Sequence, residues 1–326
     1  MRQPSRPFVF PAILAVALFF ALAAPSSAAR AGSWIEGAPM TTARAYAGGV
    51  RIGDDLYVIG GSGTSGPRSL TEVYDTVGNI WRAAAALPVG LEQFGIAESG
   101  GKIYVAGGYS QVSNRDGERD ESESNALWIF DPVVGVWVSG PPMPSSRVGL
   151  GLVSAGGKLY ALGGRGNEAG RVFIFDPRAG AWSVAKAAMP APRTEAAFAV
   201  VGNSIYVIGG FDGHPMARVD ILDTATGGWR SGPALPSPRA GHAAVVMDGR
   251  IHVVGGESIS PPRTFADHFL LDGASWSRLE SMPTPRHAVV ATAAKGKLFV
   301  VGGSAGAGVY TVFTETDVVD IYSTGK

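Results

Sequence analysis

The chain has 326 residues, with 46 Gly, 22 Pro, no Cys, and 27 acidic side chains against 27 basic ones. At 46% hydrophobic and 17% charged it is neither a disordered tail nor a collagen. The even charge balance argues against nucleic acid or a membrane surface as partner, and the missing Cys excludes disulfides, Cys-ligated metals and thiol catalysis.

Residues 1–29 read as a secretory signal peptide. Arg2 and Arg6 precede an apolar run over 8–24, and Pro25, Ser26, Ser27, Ala28 and Ala29 supply the small residues of a cleavage region. The run is 17 residues long and interrupted by Pro11, which is short for a membrane span. Cleavage near Ala29 or Ala31 predicts an exported chain, periplasmic or secreted, with no stable membrane insertion.

Beyond that segment one unit is written six times. Gly doublets end an apolar run at Gly60-Gly61, Gly107-Gly108, Gly163-Gly164, Gly209-Gly210, Gly255-Gly256 and Gly302-Gly303, at spacings of 47, 56, 46, 46 and 47. A second apolar run follows each of the first five doublets and ends at Asp75, Asp131, Asp176, Asp223 and Asp272. Trp81, Trp137, Trp182 and Trp229 stand six residues past that Asp, and Trp276 four past it. The one long spacing has a visible cause in residues 109–125, which enlarge the loop after the second doublet.

Each unit predicts four short antiparallel strands, a to d, too small to bury both faces alone. Strand b is apolar throughout, as for a sheet held between neighbours, and strand a is rich in Gly and Ala, as for the crowded strand nearest an axis. The Gly doublet allows positive φ and close backbone approach. The Asp at the end of strand c opens a turn in which it accepts from downstream N–H groups.

With Gly-Gly ending strand b, an aromatic-Asp pair ending strand c and Trp on strand d, all in phase, the units resemble kelch repeats over residues 34–323. The resemblance implies an all-β, six-bladed β-propeller over 30–326, with blades near 44–82, 91–138, 147–183, 193–230, 239–277 and 286–323. Trp34 stands 47 residues before Trp81, so residues 33–38 are expected to supply strand d of the sixth blade and close the ring with both termini. Ser323 stands where other units have Asp.

Sixteen residues before the doublets stand Arg44, Leu91, Arg147, Arg193, Arg239 and Arg286. Five guanidiniums at the entrance to strand a are expected to encircle one mouth of the channel, where they suit a carboxylate, a phosphate or acidic side chains. The same residues serve the repeat if each bonds loop carbonyls or a neighbouring acid. Candidate ligand contacts in the variable loops after the doublets are Tyr109, Arg165, Asp212, His214 and Glu257. The acidic run Asp116, Glu118, Asp120, Glu121 and Glu123 lacks calcium-loop spacing and reads as a solvated flap.

No catalytic elbow or phosphate loop is present, the five His show no metal-ligand spacing, and no cofactor or metal is expected. His252 replaces a core aromatic. The favoured reading is an exported, non-catalytic module that binds a protein, peptide or glycan, with an anionic ligand suited to the arginines. The alternative is a cofactor-free enzyme of the mutarotase or epimerase type acting on an acidic sugar. In that reading Arg grips the carboxylate, and His242, His287 or Glu195 moves a proton.

Overall fold

A computed structural model describes residues 32–113 and 119–324. The signal peptide expected over 1–29, with Asp116 and Glu118 of the acidic loop, lies outside the described residues. The described chain forms six four-stranded antiparallel sheets, each ordered a-b-c-d. Blade one is Gly48–Ile52, Asp55–Ile59, Thr71–Asp75 and Ile80–Ala84; blade two is Gly95–Ser99, Lys102–Ala106, Leu127–Asp131 and Val136–Gly140. Blade three is Val148–Ala155, Lys158–Arg165, Phe173–Asp176 and Ala181–Val184; blade four is Ala197–Val201, Ser204–Ile208, Val219–Asp223 and Trp229–Ser231. Blade five is Ala243–Met247, Arg250–Val254, His268–Asp272 and Ser275–Arg278. Blade six takes Val290–Ala294, Lys297–Val301 and Val319–Ser323, and its fourth strand is the N-terminal Ser33–Glu36.

The core is divided among the junctions. One apolar cluster fills each of the six blade-to-blade interfaces, including the one that joins blade six (Val290, Phe299, Val301) to blade one (Leu56, Val58, Tyr74). Both faces of strand b are therefore buried, which is why it carries no polar alternation. Strand a lies beside strand a of the next blade, and its small residues answer that crowding. A Cβ on Gly95 would stand 2.7 Å from Leu152 of blade three.

Each Gly doublet is fixed by the following blade. The second Gly donates its N–H to the carbonyl at the arginine position of the next unit: Gly61 to Leu91, Gly108 to Arg147, Gly164 to Arg193, Gly210 to Arg239, Gly256 to Arg286 and Gly303 to Arg44, all at 2.8–3.0 Å. The first Gly has φ of +57 to +69°. A Cβ on Gly163 would stand 2.6 Å from the Arg193 carbonyl, so both the handedness and the space require glycine.

Trp on strand d ties five of the six blades to the linker that feeds them, the Trp229 indole N–H of blade four having no such partner among the described residues. The indole N–H of Trp81 donates to Ala38 (2.8 Å), Trp137 to Ala85 (2.9 Å), Trp182 to Pro141 (2.8 Å) and Trp276 to Pro233 (3.0 Å). Trp34 does the same to Glu280 at 2.9 Å. It also pairs across from Tyr322, with ring centroids 5.2 Å apart, as Trp81 does with Tyr74 at 4.9 Å. By register, ring contact and hydrogen bond, Trp34 occupies the strand-d tryptophan position of blade six. The expected Asp turns are present too: Asp75, Asp131, Asp176 and Asp223 each accept from the N–H groups two and three residues on. These bonds hold the Asp75, Asp176 and Asp223 carboxyls below the ordinary range; for Asp131 the Lys102 ammonium is the larger cause.

Candidate functional site

The arginines are where the sequence pattern puts them, but they do not face the channel. Arg44, Arg147, Arg193, Arg239 and Arg286 are at most 2% exposed. Arg193 donates to the carbonyls of Ala191, Val207 and Gly209 and to Asp220 (2.8 Å). Arg286 donates to Gly302, Val318 and Asp320 (2.5 Å), and Arg239 to Gly255 and Asp267 (3.0 Å). Arg44 meets Glu72, and Arg147 lies 4.0 Å from the centre of the Phe173 ring. Burial is the largest influence on all five and pulls their pKa values down, Arg147 to about 10, against the neighbouring carboxylates.

The expected ring of ligand-facing charge is corrected accordingly. The same residue whose carbonyl receives the previous blade's Gly uses its guanidinium to satisfy its own blade's carbonyls and, in blades one, four, five and six, an acid in or just before strand c; in blade three Arg147 meets the Phe173 ring instead. In blade two, Leu91 and Trp128 replace that pair with apolar groups. The grip on a sugar carboxylate required by the acidic-sugar reading is occupied inside the scaffold.

Two residues past the arginine position a different ring appears. Tyr46, Gln93, Gly149, Glu195, Gly241 and Ala288 all have φ between +51 and +69°. Their backbones form a belt: each donates its N–H to the carbonyl of the preceding blade's member, from Gly149 to Gln93 (2.7 Å) around to Tyr46 to Ala288 (3.1 Å). This turn delays strand a until four residues after the arginine position in five blades, later than the blade starts expected from sequence. The belt surrounds a pocket of about 130 Å3 at the channel mouth, also lined by Phe94, Ala196 and His242.

The pocket is acidic. Glu195 has no ion pair or hydrogen-bonded partner among the described residues, and burial, then the charge of Glu257, raises its pKa to about 7 against a weaker opposing pull from Arg165. Burial also raises the Tyr46 phenol, reinforced by Glu195, Glu257 and Glu92. His242 is 6% exposed and neither ring nitrogen makes a well-formed hydrogen bond. Burial first, then Arg239, lowers its pKa to about 3, with a small contrary influence from the Ile208 carbonyl. It is a neutral imidazole at any physiological pH.

The other sequence candidates scatter. Glu257 was expected in an exposed loop but is 3% exposed, because the 3-10 helix Gly308–Phe313 of the next blade lies over it and donates the Gly308 N–H to its carboxylate at 2.7 Å. Its other oxygen stands 3.3 Å from His287 Nδ1, while His287 Nε2 faces Thr311 (3.1 Å) and the Gly306 carbonyl (2.8 Å). His287 is thus a packed residue beneath the mouth. Arg165 and Asp212 line one cleft between blades three and four, with Phe211 and Thr194. Arg165 also pairs with Glu123 of the acidic loop at 3.1 Å, and His214 is exposed on the far side of that turn.

Tyr109 opens the hairpin Tyr109–Ser113/Arg119–Glu123, which pairs with Leu91–Glu92 instead of entering the channel. His252 and His268 contact each other at 2.8 Å in the core between blades five and six, both held neutral by burial with pKa values of about 4 and about 3. Sequence reasoning named Glu195 and His242 as titratable candidates and missed Tyr46 and Gln93. Their shared offset from the arginine position was the available signal, hidden because five residue types occupy the six positions.

Comparison with known proteins agrees with the architecture. The Kelch motif family model matches residues 43–88, 92–144, 146–187 and 192–236, and the chain belongs to the kelch-repeat family. Those ranges are the first four blades; the fifth has the shifted Trp276 and the sixth lacks the Asp and takes its Trp from the N-terminus. The chain is 31% identical to Kelch-like protein 25 of Xenopus tropicalis over 49% of its length, covering 28% of that protein. It is 32% identical to human Kelch-like protein 23 over 49%, covering 27%. Against beta-scruin of Limulus polyphemus it is 26% identical over 57%, covering 21%. It thus spans less than a third of the length of these relatives. The solved structure of YjhT superposes with a TM-score of 0.73 over 86% of this chain and 95% of that one at 19% identity, a likeness of fold. Among the described residues no helix is long and apolar enough to cross a membrane.

Proposed function

We propose that the chain is a non-catalytic binding propeller, working outside the cytoplasm, whose partner is a protein or peptide seated on the face formed by the post-doublet loops. The observation that carries this is the apolar surface those loops expose beside the mouth. Val309, Tyr310 and Phe313, on one short 3-10 helix, are 80%, 62% and 71% exposed, while Thr311 of the same helix is turned inward against His287. Large apolar side chains grouped on a solvent face mark interaction surfaces more often than scaffold.

Every blade places its variable loop on this face, because the residue after the arginine position pairs with the residue after the doublet: Ala45 with Ser62, Thr194 with Phe211, Ala240 with Glu257, His287 with Ser304. The belts hold the base of these loops rigid, and recognition is left to what differs among them. Cross-linking mass spectrometry on partners captured from the native cell tests this. Cross-links are expected on the loops 62–67, 109–123, 257–264 and 305–314. Cross-links confined to the opposite c–d turns at Asp75, Asp131, Asp176 and Asp223 overturn the assignment.

A further inference from the structure

We propose that the channel mouth is a seat for one cationic side chain, a lysine ammonium or an arginine guanidinium presented by a protein partner, held by the Glu195 carboxylate and the Gln93 amide in the pocket that Phe94 and His242 help to line. This rests on the reading of the loop face as the partner surface and names what that partner inserts.

Three observations converge. First, the backbone offers an anion nothing: every N–H of the belt is spent on a neighbouring belt carbonyl, and the five guanidiniums are enclosed in the blades. Second, the unsatisfied groups are acceptors suited to a cation. Glu195, half-buried at the mouth, lacks a hydrogen-bonded or ion-pair partner among the described residues, and neither nitrogen of the almost wholly buried His242 makes a well-formed hydrogen bond. The His242 ring packs against Gly209, where an added Cβ would stand 2.5 Å from its Cε1 and 3.1 Å from its Nε2, so it shapes the pocket wall while the Gln93 amide supplies the further carbonyl oxygen. Third, side chains are kept here against backbone preference. Gly occupies two of the six belt positions, yet Tyr46, Gln93 and Glu195 hold φ of +52 to +54°, a conformation costing roughly 1 kcal/mol or more without glycine. Those three line the pocket.

The charged and titratable groups acting on Glu195 are Glu257 and Arg165, and Glu195 itself acts on Tyr46 across the pocket. Glu257 adds to the negative field and Arg165, bound to Glu123, opposes it from the rim. Burial disfavours the charged form of the carboxyl and a bound cation favours it, so binding and deprotonation are linked. With a free-state pKa of about 7, the carboxylate fraction falls about 30-fold between pH 8 and pH 5.5.

The probes are N-acetyl-arginine amide, N-acetyl-lysine amide, and the neutral N-acetyl-citrulline amide, titrated into the mature chain by NMR with the affinity read from shift changes. At pH 8 the two cationic amides are expected to shift Gln93, Glu195 and His242 resonances, and citrulline amide to bind at least tenfold more weakly. Glu195→Gln is expected to reduce arginine-amide affinity at least tenfold, and lowering the pH to 5.5 to reduce it about 30-fold. Gln93→Leu, which leaves the carboxylate in place, is expected to give an intermediate loss. Equal binding of citrulline and arginine amides, measured on the unaltered chain, overturns the proposal whatever the variants do. Unchanged affinity in a folded Glu195→Gln chain overturns it too. If the seat fails while partner cross-links still fall on the loops, the loop-face reading stands without it.

Discussion

Deleting residues 32–36 is expected to lower the melting temperature of the propeller by about 10 °C and its unfolding free energy by about 4–6 kcal/mol. The segment supplies the outer strand of blade six, with Ser33 to Glu36 paired to Ser323 to Asp320. Its loss uncovers a ladder edge, at about 0.5–1.5 kcal/mol per hydrogen bond. It also removes Trp34, which touches Tyr322 and His268 and bonds the Glu280 carbonyl that leads into the blade, at about 1–2 kcal/mol for the half-buried ring. The effect should exceed the local sum, because blade six also packs on blade one, and the deletion removes the strand through which the chain runs from one into the other. Trp34→Ala, which keeps the strand, should show roughly half the loss. A truncated chain that melts with its parent would falsify the idea that this strand holds the ring together.

The second large effect concerns the enclosed arginines. Arg286→Leu is expected to cost about 3–5 kcal/mol, the usual penalty for breaking a buried ion pair by removing one partner. Asp320 is 3% exposed and has only Arg286 as its ion-pair partner among the described residues. Burial already raises its pKa, against the guanidinium beside it. Without Arg286 the carboxyl must take up a proton, and the Gly302 and Val318 carbonyls lose their donor. Adding Asp320→Leu should recover about 2 kcal/mol or more. Blade two is the natural precedent, with Leu91 and Trp128 in place of both partners. Chemical denaturation of the two single variants and the double gives the coupling directly. A single Arg286→Leu within about 1 kcal/mol of the parent would return the arginines to the list of available ligand groups.

The repeat was legible because its physical requirements recur in phase. Positive φ under a neighbour's carbonyl admits only Gly, a c–d turn favours Asp, and an indole N–H reaching the linker requires Trp. Trp34 could be placed in blade six from its spacing alone, since strand register transmits sequence spacing into space. The orientation of the arginines was harder to read. Their acidic partners Glu72, Asp220, Asp267 and Asp320 lie 27 to 34 residues downstream, across loops of variable length, so the pairing had no fixed offset. Glu257 looked exposed because its cover comes from residues 308–313, one blade later in the chain. The belt was hidden for a different reason: a backbone hydrogen bond is indifferent to side-chain identity, so Tyr, Gln, Gly, Glu, Gly and Ala share one conformation without sharing a pattern.

These differences move the chemistry of the molecule inward by two residues. The arginines build the blades, and the polar side chains that line the pocket at the mouth include a half-buried carboxyl, an amide, a phenol and a packed imidazole. The measurement that tests this most directly is the titration of Glu195 in the free chain, followed by 13C NMR of labelled glutamate with Glu195→Gln to assign the signal. The account predicts a midpoint near pH 7, set by burial in the mouth and the nearby charge of Glu257. A midpoint in the ordinary glutamate range, near 4.3, would show a carboxyl open to water and would contradict it.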